Sequence, residues 1–326
     1  MNNISTILTM NDRLGAWKVR WGIHRMEYTI EPGIYAVNTP DADSIVLVSA
    51  NYKLSFDVLR SHLEGLDAWI LVLDTKGVNV WCAAGKGTFG TDELVERIES
   101  SGLAGLVRHR TLIVPQLGAV GIAAHEVRKQ SGFSVLYGPV RAADIKQFIN
   151  AGMKATENMR QVRFSFYDRL VLTPVEFVNN FKYLLLTIIL FFALSGLGSG
   201  GFSSRLMLQN GIISAAIIFS AYVSGAVLGP LLLPWILGRS FALKGAMLGL
   251  FLTAILWGIG LTGHQWQTVA WSLLIIPISS FLVMGFTGAS TYTSLSGVRK
   301  EMRIAVPLQM LSAAAGVVLL VINRFV

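Results

Sequence analysis

Ala68 to Gly90 reads AWILVLDTKGVNVWCAAGKGTFG, and it decides the fold of the chain's first half. Its first six residues form an uninterrupted apolar run of strand length, the pattern of a strand buried on both faces. Turn chemistry follows at Asp74-Thr-Lys-Gly77, then Asn79, a good helix cap, then a string of small residues. Strand, turn and short helix make one step of a parallel α/β arrangement. Similar runs at Ser44–Ser49, Leu112–Pro115 and Phe133–Tyr137 read as further strands. Amphipathic segments at Phe56–Leu63, Thr91–Ser100, Gly121–Gln130 and Ala142–Ala151 read as the helices between them. The expected fold is a Rossmann-like parallel sheet. Such sheets bind ligands beyond the carboxyl ends of their strands, where Asp74 to Thr88 lies.

The second half is different in kind. The chain is 53% hydrophobic and 14% charged with a net charge of +8. Up to Lys182 it holds 20 Lys and Arg against 18 Asp and Glu; beyond it come seven cations and the single anion Glu301. Apolar runs at 183–204, 211–237, 242–262, 268–290 and 304–323 each approach the ~20 residues needed to cross a bilayer. An all-α transmembrane domain of about five helices is expected. The first eleven residues lack the basic start and apolar core of a secretory signal. Cations crowd the second and fourth gaps (Arg239, Lys244; Arg299, Lys300, Arg303), which predicts a multi-pass protein of the cytoplasmic (inner) membrane, with the soluble half in the cytoplasm. The expected division is residues 1–158, a linker 159–181 and the spans 182–326. Within the linker, Thr173-Pro-Val-Glu176 reads as a capping box with proline in the first turn, from which a helix would run into the first span.

Several classes of function drop out. The basic residues form no stripe with interleaved aromatics, so nucleic acid is not an expected partner. No ionisable residue lies deep in an apolar run, as a pump or channel would require. Gly196-Leu-Gly-Ser-Gly-Gly201 reads as a loop or a close helix contact. Cys82 is the only cysteine, which excludes an internal disulfide and a self-contained iron–sulfur cluster.

Cys82 itself admits several readings. The stretch fails as a phosphate loop, because Val80 stands five residues before Gly85 and Gly87 follows Lys86. A nucleophilic Cys–His pair needs His24, His62, His109 or His125 nearby in space. A buried cysteine serving as a small hydrophobe is the ordinary alternative. If a helix starts near Asn79, its first turn carries Cys82, and the helix N-terminus and Lys86 favour the thiolate. Cys82 and Gly85 then share a face almost bare of side chains. One soft ligand on such a face suits axial coordination of a metal in a large planar macrocycle. Spacing does not name the macrocycle.

NVWCAAGKGTFG resembles the cap-helix motif of the HgcA-type corrinoid proteins of mercury methylation. It is more distantly similar to the cobalamin-binding domain of the large subunit of the corrinoid iron–sulfur protein of acetyl-CoA synthesis, whose four-cysteine cluster domain this chain lacks. His24-Arg-Met-Glu-Tyr28, Pro32-Gly-Ile-Tyr35, Ala50–Asp57, Asp74-Thr-Lys-Gly77, Pro115-Gln-Leu-Gly118 and Tyr137-Gly-Pro-Val140 carry the first likeness. The resemblance implies an α/β corrinoid-binding domain holding a cobalamin-type cofactor, with Cys82 as lower axial ligand to cobalt and catalytic residue. It implies that Asn79, Val80, Trp81, Ala83, Ala84, Gly85, Lys86, Gly87 and Thr88 line the ring, with Asn51, Thr75, Gln116 and Gly118 as further contacts. The activity implied is a membrane-anchored methyltransferase, passing a methyl group as a carbanion equivalent to Hg(II). The alternative is a methyl carrier of one-carbon metabolism, with mercury an accidental acceptor. The implied partners are a dicluster ferredoxin as electron donor, a methylated folate pathway donor and membrane lipid, in anaerobic metabolism.

Overall fold

The computed structural model describes residues 2–289 and 295–325. It divides into two compact units, Met1–Val162 and Arg163–Val326.

The first unit is built on a six-stranded sheet. Its strands are β1 (Asn2–Ile4), β2 (Gly33–Val37), β3 (Ile45–Ala50), β4 (Ala68–Leu73), β5 (Thr111–Val114) and β6 (Ser134–Tyr137), in the order β1-β2-β4-β3-β5-β6. The opening stretch supplies β4, all six residues of which are buried. β4 runs parallel to β3 in the register Ile45↔Ala68 to Ala50↔Leu73, β3 pairs with β5, and β5 runs parallel to β6. The sheet is not wholly parallel, which corrects the expectation. β2 lies antiparallel to β4, from Gly33↔Val72 to Val37↔Ala68, and β1 is parallel to β2. The reason is the connection 38–44, shorter than the dozen or more residues a crossover needs, so β3 must start at the end of the sheet where β2 finishes.

Period-two alternation divides the apolar residues of β4 between two cores. Trp69, Leu71 and Leu73 face Phe89, Leu94, Ile98 and Val127, whereas Ala68, Ile70 and Val72 face Phe56, Leu59 and Phe148. Each fully buried large side chain contributes about 1.5–3 kcal/mol, so the sheet is a rigid platform for the loops at its carboxyl edge. The flanking helices are α1 (Met10–Arg20), α2 (Lys53–Ser61), α3 (Val80–Lys86), α4 (Thr91–Ser100), α5 (Leu103–Leu106), α6 (Ala124–Ser131), α7 (Ile145–Asn150) and α8 (Glu157–Arg160). Met159 of α8 is buried in the second of these cores.

A charge cluster fastens α1 to α2. Lys53 Nζ lies 2.5 Å from Asp12 Oδ1 and 2.6 Å from Asp57 Oδ2, and Arg60 donates to Asp12 and Asp57 at 2.8 Å each. Arg60 also donates to the carbonyls of Ser5 and Ile7. Burial opposes ionisation of Asp12, but hydrogen bonds from Lys53, Thr9 and Arg60 outweigh it and hold the carboxyl well below the usual range. Asp12→Ala leaves two cations short of a partner and should cost about 3 kcal/mol. A depressed folded-state pKa stabilises above the unfolded value of about 3.9, and that stabilisation is lost as pH falls through the folded value. Amide-exchange protection of β4 should therefore differ between parent and Asp12→Ala at neutral pH, and the gap should shrink below about pH 4.

The second unit is helical: α9 (Phe166–Asn179), α10 (Phe181–Leu194), α11 (Ser204–Val223), α12 (Gly229–Leu232), α13 (Phe241–Gly258), α14 (Gln265–Gly285) and α15 (Leu295–Ile322). α9 starts earlier than Thr173. Ser165 is its N-cap, and Ser165 and Asp168 form the reciprocal capping box, with Ser165 N–H donating to Asp168 Oδ2 at 2.8 Å. Pro174 consequently sits inside the helix, where its missing N–H leaves the Leu170 carbonyl without its helical donor. The Thr173 hydroxyl donates to that carbonyl at 2.8 Å. Nor does α9 run smoothly into the first apolar run, because α9 and α10 meet at a bend of 52°.

Among the described residues four helices are long and apolar enough to cross a membrane: Ser204–Leu232, Phe241–Gly258, Gln265–Gly288 and Ser296–Ile322. The bent pair α9–α10 makes a fifth only if counted as one span. The expected fourth run ended at residue 290, which lies outside the described residues. The expected second run began at Gly211, but Ser203 caps the helix at Ser204, and a π-helical stretch, Ser224–Leu228, carries α11 into α12. Gly196 to Gly201 form a small hairpin with Leu197 opposite Phe202. Close helix contact comes from other glycines. A Cβ on Gly245 would stand 2.6 Å from Ser280 Cα, and one on Gly249 would stand 2.7 Å from Ile276 Cα, so α13 and α14 meet backbone to backbone.

Candidate functional site

The loop from β4 to α3 is framed by Asn51, at the carboxyl end of β3. Its Oδ1 accepts from Thr75 N (3.1 Å), Thr75 Oγ1 (2.8 Å) and Gly77 N (3.1 Å), and its Nδ2 donates to Asp74 Oδ1 at 3.2 Å. Thr75 is fully buried, and its hydroxyl also lies 2.7 Å from the Val78 carbonyl. These two candidates therefore hold the loop from within. Gly77 is required twice over: its φ is +71°, and a Cβ would meet the Met26 carbonyl oxygen at 2.5 Å. Lys76 beside it also has a left-handed φ, 57°, and forms an ion pair with Asp74.

α3 follows from its caps. Asn79 is extended, and its Oδ1 accepts from Cys82 N–H at 3.0 Å, satisfying one of the free donors of the first turn. Gly87, at φ +85°, ends the helix with its N–H on the Ala83 and Ala84 carbonyls. Asn79→Ala should cost about 1 kcal/mol locally, seen as faster amide exchange at Cys82 with β4 unchanged.

The two sides of this short helix differ sharply. Ala83 and Ala84 are buried in the core, while Trp81, Cys82, Gly85, Lys86 and Gly87 are exposed. Cys82 and Gly85, three apart, share the outer face. Nothing lies within 4 Å of where a Cβ would stand on Gly85 or Gly87. Val80 packs against the core from the inner side, and Trp81, 41% exposed, borders the face. The result is an open ledge on which the Cys82 thiol is the one soft ligand of the helix.

The exit from α3 is clamped by the loop after β5. Phe89 is fully buried; a Cβ on Gly118 would stand 2.5 Å from its ring, and one on Gly121 would stand 2.2 Å from its carbonyl oxygen. Gln116 and Gly118 belong to a 3-10 turn that packs on α3. Two buried polar atoms of this region, Thr88 Oγ1 and Gln116 Oε1, have no hydrogen-bond partner, a rare condition that a bound polar group would relieve. Gly121→Ala should force the backbone apart and cost about 1–3 kcal/mol, read as a lower melting temperature of the purified protein.

No Cys–His pair forms among the hydrogen bonds of the four candidate histidines. His24 contacts Glu27, His62 the Val58 carbonyl and His109 the Ser44 carbonyl, while His125 lies near Glu126. Among the described residues no three His, Cys, Asp or Glu side chains gather as a metal site. Phe89, Gly77, Gly121 and Met26 were not among the candidates. They support the site through packing, and their signal in the sequence is that they lie in or beside the motifs that carry the resemblance.

The family match falls within the first unit. Residues 24–149 match the family described as CO dehydrogenase/acetyl-CoA synthase delta subunit. The chain is similar to acetyl-CoA decarbonylase/synthase complex subunit gamma of Methanopyrus kandleri, at 31% identity over 122 residues, 37% of this chain and 26% of that protein. It is similar to the same subunit of Archaeoglobus fulgidus, at 32% identity over 127 residues, 38% of this chain and 27% of that one. The gamma 2 subunit of Methanosarcina thermophila shows 32% identity over 123 residues, 36% and 25% of the two chains. The matched stretch spans about a quarter of the length of these relatives.

Proposed function

We propose that the first unit binds a corrinoid against the outer face of α3, with the Cys82 thiolate as lower axial ligand, and that the protein works in methyl-group transfer. The exposed thiol beside the open space over Gly85 carries this reading. When bound, the corrinoid supplies a cobalt that holds a methyl group and gives it up to an acceptor. The residues present fit such a group. Asn79 fixes the turn that carries Cys82, and Ala83 and Ala84 seat the helix on the sheet. Gly85 and Gly87 leave room for a wide planar ring. Thr88 Oγ1 and Gln116 Oε1 offer a hydroxyl and an acceptor to amide groups at its edge. Asn51 and Thr75 act by positioning, through the loop they frame, and Lys86 stands exposed at the end of the helix.

The printed names of the relatives, subunits of an acetyl-CoA decarbonylase/synthase complex, support a corrinoid methyl carrier in one-carbon metabolism. A second reading, transfer to Hg(II) to form methylmercury, is favoured by Cys82 itself and by the resemblance of NVWCAAGKGTFG. The Cys82 thiolate would be a strong donor to the bound metal, and a soft cation would be a fitting acceptor for a methyl group carried with its electron pair. In either case electrons for reduction come from outside, because one cysteine cannot hold an iron–sulfur cluster; a dicluster ferredoxin is the proposed donor, and a methylated folate the proposed methyl source. The second unit provides the membrane attachment, with the first unit on the cytoplasmic side.

Solubilised full-length protein, loaded anaerobically with methylated corrinoid, separates the readings. Methylmercury formed on adding Hg(II), lost in Cys82→Ala, supports the second. Transfer to a one-carbon acceptor such as a reduced folate, with none to Hg(II) beyond the free cofactor's rate, leaves only the first. No corrinoid uptake at all overturns both.

A further inference from the structure

We propose that α1 is an interfacial helix that lies on an anionic lipid surface through the side it turns away from the protein. The proposal is independent of the cofactor and rests on which way the helix faces. Its inner side is fixed: Val19 is 1% exposed, Asp12 is held by Lys53 and Arg60, and a Cβ on Gly15 would stand 2.4 Å from Tyr28 Oη. At 100° per residue, Met10, Leu14 and Trp17 then fall together on the outer side, 70%, 49% and 57% exposed, with Trp21 continuing the line. The Trp17 and Trp21 rings sit 5.9 Å apart. Ile7, just ahead of the helix, is 75% exposed.

An amphipathic helix whose apolar stripe points outward requires something to cover it. Charge says what. Arg13 edges the stripe on one side and Lys18 on the other, both exposed, while Asp12, the one acid of the helix, is turned inward and matched by its ion pairs. Bulky apolar groups including tryptophan, bordered on both sides by cations, make the pattern of a helix lying in the headgroup region of anionic lipid. The same chain carries helices long and apolar enough to cross a membrane, and the proposed membrane attachment of the second unit would bring a bilayer near this helix.

The test uses the full chain, with a spin label on Leu14→Cys in a Cys82→Ala background and a second label on Glu99→Cys, an exposed position on α4, as the aqueous reference. Each protein is placed in detergent, in phosphatidylcholine nanodiscs and in nanodiscs that also contain phosphatidylglycerol. Accessibility to oxygen and to a water-soluble nickel chelate is then measured. Position 14 should lose nickel and gain oxygen accessibility several-fold in the phosphatidylglycerol discs only, position 99 should stay unchanged, and Arg13→Gln with Lys18→Gln should abolish the shift. Equal nickel accessibility in all three media overturns the proposal. So does equal protection in both kinds of disc, protection already present in detergent, which would mean cover by this chain or a second copy, or protection appearing only with an added soluble protein.

Discussion

Gly85→Leu should give a protein at least as stable as the parent that has lost its corrinoid. Gly85 lies in α3 with ordinary helical backbone angles, exposed, with nothing within 4 Å of an added Cβ. A glycine inside a helix costs about 1 kcal/mol relative to alanine, so a side chain there stabilises the free protein by something approaching that amount. The same side chain would occupy the space proposed for the ring. Overpacking a tight interface costs about 1–3 kcal/mol, and each 1.4 kcal/mol is tenfold in affinity, so the affinity for corrinoid should fall roughly 5- to 150-fold, with Gly85→Ala in between. Melting curves and equilibrium dialysis of the same samples make the two effects separable. A Gly85→Leu protein that binds corrinoid as the parent does would mean that the outer face of α3 is not where the ring lies.

Cys82→Ala should do the opposite: retain most of the corrinoid and lose transfer. In the proposed site most of the contact area would come from backbone and small side chains around the thiol, and removing an exposed side chain should leave the fold intact. Losing a supporting hydrogen bond to a metal ligand typically costs 10- to 100-fold in activity, so losing the ligand itself should lower methyl transfer by about 100-fold or more. Corrinoid retention measured beside the transfer rate distinguishes this from simple loss of cofactor. Near-parental transfer by Cys82→Ala would end the axial-ligand role.

What could be read from the sequence was what is decided locally. β4 is six apolar residues in a row, and no other element competes for such a run. Asn79 caps one short helix that carries Cys82 and Gly85, so cap, thiol and gap follow from spacing alone. β2 was missed because Gly33–Val37 is short and its direction is dictated by the brief connection to β3. The start of α9 was misplaced because two capping patterns lie in tandem, and only the Thr173 hydroxyl on the Leu170 carbonyl shows that Pro174 is tolerated inside. For Asn51 and Thr75 the residue types fit a ligand contact and a turn equally well; the choice rests on hydrogen bonds between strand ends far apart in sequence. The stripe on α1 has the periodicity of a core-facing helix, and which side faces inward is set by Lys53, Arg60 and Tyr28, distant in the chain.

The central claim is that Cys82 reaches a corrinoid cobalt, and cobalt-edge X-ray absorption of the anaerobically loaded full-length protein tests it directly. The expected spectrum contains one sulfur scatterer at bonding distance from cobalt in the parent, replaced by light-atom neighbours alone in Cys82→Ala. A first coordination shell with no sulfur, identical in the two proteins, would contradict the account.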